Sequence, residues 1–207
     1  MNLNDAINSI LPIDQQRIWI FAWVVLLLAL VSTIVPILQA VFKTVRLEKP
    51  SAWFDNANQF ADDKQRLVDH EARITGTLSF WKNQATRHGR INTARILWSL
   101  CAAVTLPLLI QLYDKSQVWA NVFLTTLTLW TGFIVSLAHT LKSEEKFRGY
   151  RQCESDYYDV SRALLDNPAG TPEERKQQVT GYLSTVANIR AFGRDVETNT
   201  PPSALRR

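Results

Sequence analysis

Cysteine and histidine are scarce in this 207-residue chain, with two of the first and three of the second. Cys101 lies inside a long apolar run and Cys153 in a charged stretch, which argues against a disulfide and against a paired-thiolate metal site. His70, His88 and His139 are scattered, without the cysteine or carboxylate spacing of a metal centre. With seven glycines there is no Gly-rich phosphate loop, and no nucleophile elbow appears. Arg66 and His70, at i and i+4, lack the spacing of the Arg–His pairs of helical ribonucleases, and no second element supports them. They read as a solvated helix face, as do Asp62, Asp63, Asp69 and Glu71. No catalytic residue, no metal and no cofactor are expected, and the chain does not read as an enzyme. The net charge of +4 comes without a dense basic face or groove-reading element, so no direct nucleic-acid binding is expected. A small basic excess fits a protein held near anionic lipid headgroups.

What is present is hidden by the averages. A hydrophobic content of 46%, a charged content of 20% and a mean hydropathy of -0.09 resemble a soluble protein, yet the charges are segregated. Ile18–Phe42 runs for 25 residues without a charge, and Ile96–Tyr113 and Val118–Leu141 are also charge-free. A helix rising about 1.5 Å per residue needs roughly 20 apolar residues to cross a hydrocarbon core of about 30 Å. Trp19, Trp98 and Trp119 lie near the ends of these runs, where amphipathic rings favour the interface. The first run is too long for a signal peptide, is preceded only by Arg17 as a cation, and has no obvious cleavage site, so it reads as a retained span. The expected fold class is an all-α membrane protein with three transmembrane helices. The lipid bilayer is its first partner.

Basic residues set the orientation. One precedes the first run, ten lie between the first and second, one (Lys115) lies between the second and third, and eleven follow. Positive residues stay in the cytoplasm. Residues 1–17 therefore read as a short extracytoplasmic N-terminus and 18–42 as the first span. Residues 43–95 read as a cytoplasmic amphipathic helix. Residues 96–141 form a transmembrane hairpin (96–113 and 118–141) turning outside at Asp114–Gln117, and 142–195 form cytoplasmic helices.

The cytoplasmic segments read as helix. Lys49-Pro50 breaks the chain after the first span. From Trp53 to Arg95 there is no proline, and Phe60, Leu67, Ile74, Leu78 and Trp81 recur as a heptad-like seam suited to packing on another helix. From Lys142 to Asp166, Phe147, Tyr150, Tyr157 and Leu164 share one face, and Asn167-Pro168 ends that helix. Thr171-Pro172-Glu173-Glu174 is a capping box with proline at the first helical position. It opens a further helix carrying Val179, Leu183, Val186 and Ile189 and stopping near Gly193. The tail, 196–207, reads as disordered. Long cytoplasmic helical extensions of the hairpin spans thus form an antiparallel helical hairpin.

The third run holds the most informative pattern. Thr125, Thr128, Gly132, Ser136 and His139 fall on one stripe, opposite Leu, Phe, Ile and Val. Gly132 and Ser136 form a small-xxx-small pair that allows close helix packing, within or between protomers. Alternatively, several copies could turn the stripe inward to line a water-filled path with His139 near its cytoplasmic mouth. Ser99 and Ala103 offer another close approach on the second run, and Pro107 a kink. A hairpin with one more helix cannot enclose a channel, so conduction would require a homo-oligomer.

The lead-in from Phe80-Trp81 to Arg95, the two closely spaced spans, and the stretch from Glu144 to Tyr158 resemble the SLATT family, the SMODS- and SLOG-associated two-transmembrane effectors of bacterial conflict systems. Tyr150-Arg151 and Glu154 match its aromatic, Tyr-Arg pair and following Glu. The resemblance covers roughly residues 75–190, and the additional N-terminal span departs from the two-span core. It implies a homo-oligomeric effector in the bacterial inner membrane that perforates or depolarises it when a sensor or regulatory protein of the same defence system signals. Tyr150, Arg151 and Glu154 would then hold their helix against the Phe60–Trp81 seam and couple cytoplasmic events to the spans. The alternative is a non-conducting membrane anchor or scaffold that recruits a soluble partner through its cytoplasmic helices.

Overall fold

The computed structural model describes residues 15–42, 53–55, 57–111 and 118–198. These residues are helical almost throughout and contain no strand. The helices are α1 (Gln15–Phe42), α2 (Lys64–Gln111), α3 (Val118–Thr140), α4 (Ser143–Asp166) and α5 (Pro172–Thr198), with a 3-10 turn at Asn58–Phe60 before α2. Much of the expected N-terminus, the Lys49-Pro50 break, the Asp114–Gln117 turn and most of the tail lie outside the described residues. The chain divides into two compact units, one of residues 1–42 and 90–142, the other of 43–89 and 143–207.

The first unit is built from α1, the C-terminal half of α2, and α3. Leu26, Trp98, Phe123, Leu127 and Ile134 form its buried cluster. The Trp23 ring meets Phe123 edge-on at 5.4 Å, a geometry that suits the ring quadrupoles. Trp98 does not sit as an exposed interfacial ring. It is buried, and its Nε1–H donates to Thr131 Oγ1 at 2.9 Å, which removes the only polar group that would have drawn it to an interface. Thr131 Oγ1 in turn donates to the Leu127 carbonyl at 2.8 Å. Arg90 Nη1 donates to the Gln39 carbonyl at 2.8 Å, a cation on one of the acceptors that the last turn of α1 leaves open. The outward face of α2 is apolar, with Ile96, Leu97, Leu100, Val104, Leu108 and Ile110 all exposed.

The second unit packs the N-terminal half of α2 with α4 and α5. Its core includes Phe54, Leu67, Ile74, Leu78, Trp81, Tyr150, Tyr157, Leu164, Val179 and Val186. Phe60 belongs to this core from the 3-10 turn, because the helix expected from Trp53 begins only at Lys64. Glu71, expected on a solvated face, accepts the Trp53 and Phe54 backbone N–H groups at 3.2 and 3.4 Å and so pins the segment before α2. The capping box forms as a reciprocal pair: Glu174 N–H donates to Thr171 Oγ1, and Thr171 N–H to Glu174 Oε2, both at 3.3 Å. Arg175 closes the α4–α5 connection by donating to the carbonyls of Gln59, Ala169 and Gly170.

Three glycines set the spacing of this bundle. A Cβ on Gly89 of α2 would stand 3.0 Å from the Phe147 ring of α4, one on Gly149 of α4 would stand 2.6 Å from Val196 of α5, and one on Gly193 of α5 would stand 2.8 Å from Trp81 of α2. Each helix thus offers a notch to the next and a knob to the one before. This corrects the expectation that α5 stops near Gly193. The residue is a packing notch, the helix runs on to Thr198, and Val196, assigned to a disordered tail, packs against the core. Between α3 and α4, Lys142 adopts a left-handed φ of 46° and its N–H donates to the His139 carbonyl at 2.9 Å. The regular helix is therefore interrupted at Leu141 and Lys142.

Candidate functional site

In the first unit, the charge-free part of α2 and the run beginning at Ala120 in α3 are long and apolar enough to cross a membrane. Only 17% and 22% of those windows is buried inside the protein, the reverse of a soluble core helix. In α1 the apolar stretch found among the described residues, Ala22–Pro36, is shorter.

α3 turns Ala120, Phe123, Leu127, Ile134 and Ala138 inward. Every residue of the polar stripe (Thr125, Thr128, Gly132, Ser136 and His139) is exposed on its outer side. A Cβ on Gly132 would meet nothing within 4 Å among the described residues. Thr128 Oγ1 donates to the Leu124 carbonyl at 2.8 Å, satisfying its own proton within the helix. The stripe is a row of small and polar groups on an otherwise apolar surface, facing away from the chain's own core. Ser99 is half-buried and Ala103 exposed on α2.

In the second unit the seam residues Phe60, Leu67, Ile74, Leu78 and Trp81 are all buried. Of the three residues given a coupling role, Tyr150 reaches α2: its ring lies edge-on to Phe80 at 5.9 Å and stacked on His88 at 6.3 Å. Arg151 and Glu154 instead pair within α4, Nη1 to Oε2 at 2.8 Å. Arg151 is half exposed while Glu154 is largely buried. Residue 151 lies about 100° around the helix from 150, far enough to leave the interface.

Sequence reasoning passed over the aromatic neighbourhood of His88 and His70. Burial is the main cause that drives His88 down to about 4, helped by the Lys146 and Arg87 charges, and its Nδ1 is buried without a hydrogen bond. His70 is also lowered, by burial first and then by Arg190, Arg73 and Arg66; its ring lies edge-on to Tyr182 at 5.6 Å. Burial, with Glu197 and Cys153 nearby, pushes Tyr150 up to about 12, and burial followed by Asp156 pushes Cys153 up to about 12. The Cys153 thiol is therefore inert rather than nucleophilic. Tyr157, raised chiefly by burial, and Tyr182 lie within electrostatic reach of Ser161, though Ser161 Oγ and Tyr182 Oη fall outside hydrogen-bond geometry. The visible signal for this cluster was the spacing of Tyr157, Ser161 and Leu164 on one helix and Tyr182, Val186 and Ile189 on the next. Among the described residues, no group of three His, Cys, Asp or Glu is placed to hold a metal.

Compared with known proteins, the chain matches no family model, no curated protein and no solved structure.

Proposed function

We propose that this chain is a multi-pass protein of the bacterial inner membrane that assembles with copies of itself and opens a conducting path when activated, as an effector of an antiviral defence system. The observation that carries the reading is the outward-facing stripe Thr125–His139 on a helix of membrane-spanning length. Polar groups facing lipid are unfavourable, whereas facing copies of the same stripe can share hydrogen bonds or enclose water. α1 supplies the third span. Its 28 residues extend about 42 Å, more than the roughly 30 Å of a hydrocarbon core. The distribution of basic residues puts the N-terminus outside and both charged segments in the cytoplasm. The SLATT resemblance supports the effector role and implies a sensor or regulatory protein as partner. Tyr150, packed between Phe80 and His88, ties α4 to the helix that leads into the second span.

The test is inducible expression in a bacterium while membrane potential and uptake of a small impermeant dye are followed. Parent and a Thr128→Leu, Ser136→Leu variant are compared at matched membrane levels. The parent should collapse the potential and the variant should not. Equal collapse by both would remove the stripe from the mechanism. No collapse by either, with the neighbouring genes supplied, would favour a non-conducting anchor that recruits its partner through α2, α4 and α5.

A further inference from the structure

On the second unit, α2 and α5 leave a groove whose floor is Trp81 beside Gly193 and whose walls carry Thr77, Phe80, Arg190, Arg194 and Glu197. The notch at Gly193, where a Cβ would stand 2.8 Å from Trp81 Nε1, brings the polar edge of the indole to the groove. Its surface is mostly apolar, and among its polar side chains donors outnumber acceptors. Among the described residues, Arg190 and Arg194 form no ion pair or hydrogen bond through their guanidinium groups, whereas Arg148 of α4 and Arg175 of α5 both find acceptors. Thr75 and Thr86 return their hydroxyl protons to the carbonyl one turn back on α2. Among the described residues, Thr77, on the groove, makes no such bond, and neither does the Trp81 indole N–H. Glu197 is one turn from Arg194 and does not pair with it. Further along α2, Arg73 and Arg190 both bear on His70, so the positive field extends past the groove itself.

Four unmet donors, two of them permanently charged, call for an acceptor-rich anion. A planar guanidinium grips phosphate oxygens in bidentate fashion, a threonine hydroxyl and an indole N–H can each donate to a further oxygen, and the exposed Phe80 ring offers an apolar face to whatever the phosphate is attached to. We propose that this groove is a binding site for a phosphate-bearing ligand, with Arg190 and Arg194 on the phosphate, Thr77 and Trp81 completing its hydrogen bonds, and Glu197 disfavouring ligands with a second anionic group at that end. The phosphate belongs either to a soluble ester or to a lipid headgroup. The site does not depend on whether the protein conducts.

The full-length protein in phosphatidylcholine nanodiscs is titrated with inorganic phosphate at fixed ionic strength, and binding is followed by calorimetry and by the shift in thermal midpoint. In a second arm the protein sits in nanodiscs containing phosphatidylglycerol, with no inorganic phosphate added. Saturable binding by the parent that weakens about tenfold or more in Arg190→Gln, Arg194→Gln is expected, since the loss of one charge-assisted bond already suffices for that factor. Thr77→Val, which removes no bond within the protein, should weaken binding without lowering the midpoint of the unliganded chain, and it carries the test if the double variant fails to fold. Arg162→Gln, an exposed arginine of α4 outside the groove, should bind like the parent. Stabilisation only in phosphatidylglycerol, sensitive to the same variants, would make the phosphate a lipid's. No saturable effect in either arm, or equal binding by parent and both groove variants, would overturn the site.

Discussion

Gly193 and Gly181 lie twelve residues apart on α5, and their surroundings predict opposite responses to the same change. A methyl at Gly193 would be driven into the Trp81 ring, whose Nε1 and Cε2 would be 2.8 and 3.2 Å away, while at Gly181 there is nothing within 4 Å. Overpacking of a rigid core costs about 1–3 kcal/mol, and relieving a mid-helix glycine gains about 0.5–1 kcal/mol. Gly193→Ala should therefore lower the unfolding midpoint of the full chain in detergent and Gly181→Ala should raise it, as read by near-ultraviolet circular dichroism. If both rise, the notch is not close-packed. His88 makes a second prediction at this scale. Its folded pKa of about 4 lies below its ordinary value of 6.5, so as pH falls the unfolded chain takes up the proton first. The stability due to the neutral ring is whole above about 6.5 and is lost as pH falls toward 4. Between pH 7.5 and 4.5 the parent should lose more stability than His88→Gln, and equal losses would place His88 in water.

The helices α4 and α5 and their buried faces were legible because burial repeats with the helix: Tyr150, Tyr157 and Leu164 on one, Val179, Val186 and Ile189 on the other, each already marked by apolar spacing. The capping box was legible for the same local reason, since Thr171 and Glu174 satisfy each other's backbone groups without help from the rest of the fold. What the sequence could not separate was Tyr150 from Arg151. Adjacent residues share a motif but not a face, and only the packing places Tyr150 against Phe80 and His88 while the half-exposed Arg151 pairs along α4 with the buried Glu154. Glycine roles were equally hidden, because a mid-helix glycine reads as a weakness or a stop until the knob that fills it is known, as Trp81 does for Gly193. The consequence is measurable. An i,i+3 pair contributes about 0.2–0.5 kcal/mol, whereas truncating a buried aromatic costs roughly 3–5 kcal/mol. In urea titrations Tyr150→Ala should destabilise the chain several times more than Arg151→Ala with Glu154→Ala. The reverse order would return the coupling role to the ion pair.

At the scale of the whole molecule the stripe and the seam matter only if the chain crosses the membrane in the proposed sense, and the two cysteines make that sense testable. Cys153 is buried, with its thiol held up to about 12, so it will not compete for a maleimide; Cys101 is exposed on α2 and is removed as Cys101→Ala. Single cysteines are then introduced at Asn4, Asp69, Lys115 and Glu173 and treated with a membrane-impermeant maleimide, on intact cells permeable only at the outer membrane and again after lysis. Asp69 and Glu173 are exposed on the second unit, so burial does not mask them. Ten basic residues between the first and second runs, against one between the second and third, bias the charged segments to the cytoplasm. Lys115→Cys should therefore label on intact cells, while Asp69→Cys and Glu173→Cys should label only after lysis. Asn4→Cys decides the number of spans: labelling together with Lys115→Cys means that α1 crosses the bilayer, and labelling only after lysis leaves two crossings. Labelling of Glu173→Cys on intact cells would place α5 and its arginines outside, where neither a cytoplasmic sensor nor the inner-leaflet lipid could reach them.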